Sequence, residues 1–214
     1  MKDNLELLVK YGNMLFDSGL TSGTGGNLSF FDREKGLMYI TPSGIPFADI
    51  SVSDIVAMDT EGKTVSGSRK PSSEWALHLV FYKNREDINA VIHAHTTYST
   101  VFAVLNEDLP ACHYMLALAG KDVRCAPYAP FGTHELAEHA FEYMKGRKAV
   151  LLANHGIVTG GLGLMEAFNT LREVDYCSKL NILARSIGKP VILSDDEMAR
   201  MEERFKTYGQ KREG

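Results

Sequence analysis

The sequence predicts a mixed α/β fold whose sheet is largely antiparallel. Residues 27–66 contain two pairs of strand-like segments, each joined by turn residues, which is typical of two successive hairpins. Two short apolar stretches, at 90–95 and 149–153, are typical of buried strands. The last third of the chain carries the apolar spacing of helices, so helices and sheet strands share one chain.

The elements of the first half follow from periodicity and turn residues. Apolar residues recur at helical spacing over 3–18, and Gly19 provides a C-terminal stop. A glycine-rich segment leads into the first hairpin, and Thr60-Glu61-Gly62 turns the second. The pattern becomes helical again at Ser73. The predicted elements are a helix at 3–18, strands at 27–31, 37–41, 55–59 and 63–66, and a helix at 73–83.

Beyond residue 90 the sequence predicts both strands and helices, and the last third of the chain is helical. The run 149–153 is short, apolar and partly β-branched, which predicts a buried strand ending at Asn154-His155-Gly156. Ser194 and Glu197 have the spacing of a capping box that opens a final helix. The other predicted elements are strands at 90–95 and 123–127 and helices at 97–105, 133–145 and 164–187. No repeat or linker divides them, so we predict a single domain over residues 1–214.

Composition narrows the class of function. The 214 residues are 44% hydrophobic, enough to bury a substantial core. The net charge of -4 leaves no basic surplus for a polyanion, which argues against nucleic acid as a partner. No segment is apolar over about 18 residues, and the N-terminus lacks a signal peptide, so we expect no membrane association. Three widely spaced cysteines favour a reducing compartment, the cytosol.

Three histidines are candidates for one metal site. His93 and His95 are two apart at the end of a predicted strand, so both side chains project from the same face. His155 follows a different apolar strand and joins them if the strand ends are adjacent. Three imidazoles with one open position suit a catalytic zinc. The remaining histidines are expected to be ordinary core or surface residues, although His78, one turn after Glu74, could support the site: His78, His113, His134 and His139.

The predicted helix start near Glu74 is a candidate site for binding a metal ion or a phosphate. The carboxylate of Glu74 could simply complement the helix dipole, or it could ligate the metal and move protons. Ser72 and Ser73 precede the free N–H groups of this helix, a suitable place for phosphate. The loops Gly25-Gly26-Asn27 and Ser43-Gly44 lack bulky side chains and could let backbone amides approach the same anion.

In order and spacing, seven motifs resemble those of the class II aldolase/adducin family: Gly23-Thr24-Gly25-Gly26-Asn27-Leu28-Ser29, Thr41-Pro42-Ser43-Gly44-Ile45-Pro46, Pro71-Ser72-Ser73-Glu74-Trp75, His93-Ala94-His95, His113-Tyr114-Met115, Ala126-Pro127-Tyr128 and Asn154-His155-Gly156. The resemblance implies a central, mostly antiparallel sheet between helices. It also implies a homotetramer with active sites at subunit interfaces, and cleavage of a phosphorylated ketose into dihydroxyacetone phosphate and an aldehyde.

The resemblance assigns roles to particular residues. On local grounds Tyr114 is more often a packing residue, but the resemblance implies that it comes from a neighbouring subunit and takes the proton of the substrate C4 hydroxyl. Glu74 returns a proton to C3. One Zn²⁺ per subunit is surrounded by Glu74, His93, His95 and His155. The substrate phosphate is held by Gly26, Asn27, Ser43, Gly44, Ser72 and Ser73.

Other functions remain open at this point. The family includes epimerase and dehydratase branches as well as the non-catalytic adducins; glutamate at position 74 favours an aldolase, because the epimerases carry aspartate there. A zinc hydrolase built on a barrel needs about 250 residues of alternating strand and helix, which this chain lacks. Another alternative is a non-enzymatic scaffold, which would keep the fold and the tetramer but bind no metal. Fuculose, ribulose and deoxypentulose phosphates all fit the resemblance as substrates.

Overall fold

The computed structural model describes residues 2–208, and the ends of the predicted single domain, residues 1 and 209–214, lie outside them. The helices are α1 (Lys2–Asp17), α2 (Trp75–Asn84), α3 (Thr97–Leu105), α4 (His134–Tyr143), α5 (Leu164–Ile187) and α6 (Asp195–Thr207). The strands are β1 (Asn27–Asp32), β2 (Leu37–Ile40), β3 (Val56–Met58), β4 (Thr64–Ser66), β5 (Ala90–Ala94), β6 (Cys125–Ala126), β7 (Ala149–Leu152) and β8 (Gly156–Gly161). Short 3-10 helices occur at Phe47–Asp49, Val52–Asp54 and Tyr114–Leu118.

The strands form one sheet in the order β4-β3-β2-β1-β5-β8-β7-β6. Every neighbouring pair is antiparallel except β6 with β7. The mostly antiparallel sheet is therefore confirmed, as are both hairpins in residues 27–66.

Side chains alternate between two cores on opposite faces of the sheet. On β5, Ile92 packs with residues of α1, α3 and α5, whereas Val91 packs with residues of α2 and α4. The same alternation occurs on β7, where Leu151 and Val150 face opposite ways. The mixed α/β architecture with helices on both faces of the sheet follows from this two-sided burial.

Local capping explains where α1 ends and where α6 begins. Beyond α1, Gly19 has φ of 70°, and Leu20 donates its N–H to the carbonyl of Leu15, which is a Schellman-type ending. The hydroxyl of Ser194 accepts the N–H of Glu197, the first half of the predicted capping box. No helix within residues 2–208 is long and apolar enough to cross a membrane.

The sequence interpretation missed one central strand. It ended the structure around 149–153 at Asn154-His155-Gly156, whereas the chain turns there and returns as β8. Asn154, with φ of 55°, makes the turn. The segment of β8 is glycine-rich, which hid its strand character, although Ile157 and Val158 are β-branched. As a result, β8 lies between β5 and β7, and His155 occupies the turn rather than a strand end.

Candidate active site

Three neighbouring strands place the site at one edge of the sheet. β1 begins at Asn27, which pairs with His93 near the end of β5. β5 ends at Ala94, which pairs with Ile157 at the beginning of β8. Because these strands are antiparallel to one another, the start of β1, the end of β5 and the start of β8 meet at the same edge.

The predicted histidines converge at this edge. His93, His95 and His155 each offer a ring nitrogen, and these three atoms lie within 4.8 Å of one another. The Nε2 atoms of His93 and His95 are 3.1 Å apart. His93 is buried, His155 is half-buried and His95 is exposed, so the cluster is open to solvent on one side.

The protonation state of the cluster suits metal binding. Nδ1 of His93 donates to the carbonyl of Ile157 at 3.0 Å, so its Nε2 carries a lone pair toward the other rings. Burial, reinforced by the neighbouring His95, lowers the pKa of His93 to about 3. Loss of surrounding water also lowers the pKa of His95 and of His155. The three imidazoles are therefore neutral at pH 7, the form that binds a cation.

Glu74 joins the cluster from the start of α2. Its Oε2 lies 3.4 Å from Nε2 of His93, and its Oε1 lies 3.6 Å from Nε2 of His155. Glu74 stands at the N-cap of α2, but its side chain makes no capping hydrogen bond there. The carboxylate is 7% exposed, and Oε1 has no hydrogen-bond partner among the described residues. A buried, unpartnered carboxylate oxygen beside neutral imidazoles fits a bound cation.

Glycines allow the segments of the site to approach closely. A Cβ on Gly26 would lie 2.6 Å from the carbonyl oxygen of His93, and Gly26 has φ of 82°. A Cβ on Gly156 would lie 2.5 Å from the carbonyl oxygen of Ala94 and 2.9 Å from Cδ2 of His95. All three distances are too short for the Cβ of any other residue, so these glycines set the packing around the histidine-bearing strand.

The segments predicted to hold phosphate also come together. Pro42 and Pro71 form an isolated bridge, and Ser43 donates its N–H to the carbonyl of Lys70 at 3.1 Å. Ser72 donates in turn to the carbonyl of Thr41 at 3.1 Å. This pairing brings the loop with Ser43 and Gly44 beside the one with Ser72 and Ser73. Thr41 donates its N–H to the carbonyl of Leu28, next to Gly26 and Asn27, at 3.0 Å.

The side chains within this anion-site candidate differ in availability. Ser43, Gly44 and Ser73 are exposed, whereas Ser72 is buried and its hydroxyl accepts the N–H of Glu74 at 3.2 Å. The amide of Asn27 is already engaged, because its Nδ2 donates to Oε2 of Glu74 at 3.0 Å and its Oδ1 lies 2.5 Å from Nε2 of His78. The phosphate-binding role of these residues therefore remains a prediction.

Tyr114 does not join the cluster within its own chain. It begins the 3-10 helix that packs against α6, and its ring contacts those of His113 and Phe205. Tyr114 is 47% exposed, and among the described residues no contact joins it to the histidine cluster. If it acts on the substrate, as the resemblance implies, it acts in the site of another subunit.

Sequence reasoning missed part of the supporting structure. Ser29 and Tyr82 are buried, and both bond to the ring of His78 directly or through one another. Alternation along β1 places Ser29 on the face of Asn27, and the four-residue spacing along α2 places Tyr82 on the face of His78. Those two periodicities were the available signals. His113, His134 and His139 stay outside the cluster, as expected.

Known proteins resemble most of the length of this chain. A family model described as "Class II Aldolase and Adducin N-terminal domain" matches residues 6–182. The 5-deoxy-D-ribulose 1-phosphate aldolase of Bacillus thuringiensis is 46% identical over 205 residues, 96% of each protein. The L-fuculose phosphate aldolase of Escherichia coli K12 is 45% identical, covering 89% of this chain and 88% of that one.

A solved structure extends the likeness to three dimensions. An L-fuculose 1-phosphate aldolase superposes with a TM-score of 0.94 at 59% identity, covering 95% of this chain and 96% of that one. The fold and the sequence therefore indicate the same family. The chain belongs to the class II aldolase and adducin family and is an enzyme of the class II aldolase type.

Proposed function

We propose that the protein uses zinc to cleave a ketose 1-phosphate into dihydroxyacetone phosphate and a small aldehyde. One observation carries the proposal: three neutral imidazoles and an unpartnered carboxylate oxygen meet at the sheet edge where β1, β5 and β8 come together. The loops rich in serine and glycine, which suit a phosphate, adjoin the same elements.

The residues present fit a zinc ion. Two nitrogens on a tetrahedral zinc, each at about 2.0–2.1 Å, stand about 3.3 Å apart, and the Nε2 atoms of His93 and His95 are 3.1 Å apart. We assign His93, His95 and His155 as the three protein ligands and Glu74 as the carboxylate that completes the site at rest. A substrate that displaced Glu74 from a bound zinc would leave this carboxylate free to move a proton.

The chemistry divides between the metal and this chain's own residues. Bound zinc supplies a Lewis acid for the ketose carbonyl. During cleavage Glu74 delivers a proton to C3 of the triose half, and Tyr114 of the partner subunit receives the proton of the C4 hydroxyl. Gly26, Asn27, Ser43, Gly44, Ser72 and Ser73 hold the phosphate, so the reacting carbons are fixed relative to both proton-transfer groups.

We infer that the assembly is a homotetramer with interfacial active sites, because Glu74 and Tyr114 do not meet within one chain. We also infer that the full chain forms one domain and that it works in the cytosol. The thiols of Cys112, Cys125 and Cys177 are free, which supports a reducing compartment.

For the substrate we propose L-fuculose 1-phosphate, with 5-deoxyribulose 1-phosphate as the alternative. The solved structure at 59% identity bears the first name, and the Bacillus relative bears the second. Both sugars have the same ketose 1-phosphate head and end in a methyl group, and they differ by one CHOH unit. The two reactions therefore share the metal, the phosphate loops and both proton transfers.

Release of dihydroxyacetone phosphate from purified zinc-loaded protein tests the proposal. The panel consists of L-fuculose 1-phosphate, its C4 epimer, 5-deoxyribulose 1-phosphate and a ribulose phosphate. We expect the largest kcat/KM with L-fuculose 1-phosphate and loss of cleavage after chelation. Preference for the shorter sugar would replace the substrate assignment. Conversion of a ribulose phosphate to its C4 epimer without triose release would indicate an epimerase, and a metal-free, inactive oligomer would indicate a scaffold.

A further inference from the structure

A row of buried polar side chains runs from Glu74 into the protein between β1 and α2. Asn27 and Ser29 alternate on β1, and Glu74, His78 and Tyr82 recur every four residues along the start and length of α2. These spacings put each set on one face of its element. Ser29 and His78 are fully buried and Tyr82 is 2% exposed. Polar groups at such depth are costly unless each is hydrogen-bonded.

The row is continuous. Oε2 of Glu74 is 3.0 Å from Nδ2 of Asn27, whose Oδ1 is 2.5 Å from Nε2 of His78. Nδ1 of His78 is 2.6 Å from Oγ of Ser29, which is itself 2.6 Å from the hydroxyl of Tyr82. Four hydrogen bonds thus connect the carboxylate to a phenol on the far side of the imidazole.

The donor of each of these hydrogen bonds follows from the groups that can only accept. The carboxylate of Glu74 only accepts, so the amide N–H of Asn27 donates to it and Oδ1 is left facing His78. Oδ1 only accepts, so Nε2 of His78 carries the proton. In a neutral ring Nδ1 is then bare and accepts from Ser29, whose hydroxyl proton is thereby used. Tyr82 must therefore donate to Ser29, and all four bonds point toward Glu74.

Because His78 is neutral, only this assignment of donors and acceptors satisfies all four hydrogen bonds. A doubly protonated ring would donate to Ser29 and reverse the outer half of the row. Burial, reinforced by the nearby His93, lowers the pKa of His78 to about 3, so the ring is neutral at pH 7. Burial likewise raises the pKa of the Tyr82 phenol, which keeps its proton available for donation.

We propose that His78 is a positioning residue that acts through Asn27 to hold Glu74 in the metal site. By donating to Oδ1, His78 keeps the Asn27 amide turned with its N–H toward Glu74. That hydrogen bond occupies Oε2 and leaves Oε1 as the free oxygen. The inference rests on the proposed role of Glu74 at zinc and adds the group that keeps this carboxylate in place.

Loss of the His78 donor has a defined consequence. The Asn27 amide can then rotate and present Oδ1 to the carboxylate, and two oxygens in contact repel each other. Groups that orient metal ligands typically contribute 10–100-fold to metal affinity or activity. We expect the zinc affinity of His78→Met to fall by about 10–100-fold. We also expect the fall in kcat to exceed any rise in KM, because Asn27, which His78 contacts, is only one of six residues assigned to the phosphate.

The test compares three variants by zinc competition against a chromogenic chelator, with thermal melting and steady-state kinetics alongside. His78→Met removes both ring nitrogens at similar volume. His78→Gln restores one N–H near the position of Nε2, and we expect it to recover most of the zinc affinity. Ser178→Ala is the matched control, because it deletes another fully buried hydrogen bond, to the carbonyl of Val174, that has no connection to Glu74. It should lower the melting temperature and leave zinc affinity unchanged.

A measurement on the unaltered protein covers the case in which His78→Met fails to fold. ¹⁵N NMR of the imidazole distinguishes a protonated Nε2 with bare Nδ1 from the opposite tautomer. A proton on Nδ1 would overturn the proposal, as would wild-type zinc affinity in folded His78→Met or the same loss in His78→Gln. Failure of the unaltered protein to bind zinc would instead count against the proposed function, so the two failures are distinguishable.

Discussion

At the scale of single residues, the site depends on the chemical identity of a few side chains. His155 supplies the third imidazole from a turn, and it is half-buried. Ser73 is exposed at the phosphate loops. Substitutions at these two positions therefore test zinc binding and phosphate binding with little disturbance of the fold.

Replacing His155 with alanine should remove zinc and reduce cleavage at least about 100-fold, because an open catalytic site depends on three protein ligands. Metal content after dialysis and the rate of triose phosphate release check this. His134→Ala is the matched control, since His134 is an exposed histidine that packs against Trp75 outside the cluster. Full activity in metal-depleted His155→Ala would refute the zinc assignment.

Replacing Ser73 with aspartate should raise KM for the phosphorylated substrate at least about tenfold with a smaller change in kcat, because like charges would meet at the phosphate. Steady-state kinetics measure both constants. Ser53→Asp adds the same charge at an exposed position on the 3-10 helix Val52–Asp54 and serves as the control. An unchanged KM in Ser73→Asp would remove this serine from the phosphate site.

At the scale of elements, the site depends on how closely strands and helices approach. β5 and β8 meet at Gly156, where a side chain would collide with the backbone at Ala94. α2 and β1 enclose a neutral His78 between them. The first contact sets the position of the histidines, and the second makes stability depend on pH.

The substitution Gly156→Ala should destabilise the fold by about 1–3 kcal/mol, the usual range for overpacking, and should weaken zinc binding. The added methyl group must push β8 away from Ala94 and from the ring of His95. Urea unfolding and zinc competition measure the two effects. Gly163→Ala, at the start of α5 with open space around its Cβ, should be nearly neutral. Equal stability of the two variants would contradict the close-contact argument.

Acid should destabilise the metal-free protein through His78. Its folded pKa of about 3 lies below the ordinary value of 6.5, so the unfolded chain binds the proton first. Stability is therefore complete above about pH 6.5 and is lost as pH falls toward 3, at about 1.4 kcal/mol per pH unit from this group. Urea unfolding from pH 7 to 4 measures the slope. His78→Gln should have a shallower slope, and an identical slope would exclude His78 as a contributor.

At the scale of the whole molecule, the proposed catalytic set exceeds one chain. Glu74 faces the histidines, whereas the exposed Tyr114 packs with His113 and Phe205. A tetramer that brings Tyr114 of one subunit to Glu74 of another would complete the set. Mixed oligomers of two inactive variants can detect such sharing.

Glu74→Ala and Tyr114→Phe should each nearly abolish turnover, because each removes one proton-transfer group. After subunit exchange, random assortment in a cyclic oligomer should pair an intact Glu74 with an intact Tyr114 at about a quarter of the interfaces. Activity should then reappear in the mixture to about that fraction. Native mass measurement confirms exchange. Exchange without recovery of activity would show that both groups serve one chain's site.

The sequence by itself determined the mixed α/β class, the hairpins of residues 27–66 and the three histidines. These are encoded by local periodicity, turn residues and the two-residue spacing of His93 and His95, which fix the direction of side chains without reference to distant segments. Glu74 was identified with two possible roles, because a carboxylate at a helix start satisfies either one locally.

Tertiary structure alone decided how these pieces meet. β8 lies between β5 and β7, so His155 reaches the cluster from a turn that only sheet order defines. The carboxylate of Glu74 turns to Asn27 and the histidines instead of capping α2. Likewise, the row through His78 joins residues 47 to 53 positions apart. Burial and hydrogen-bond pairing between distant segments choose among locally equivalent options, and no local pattern records that choice.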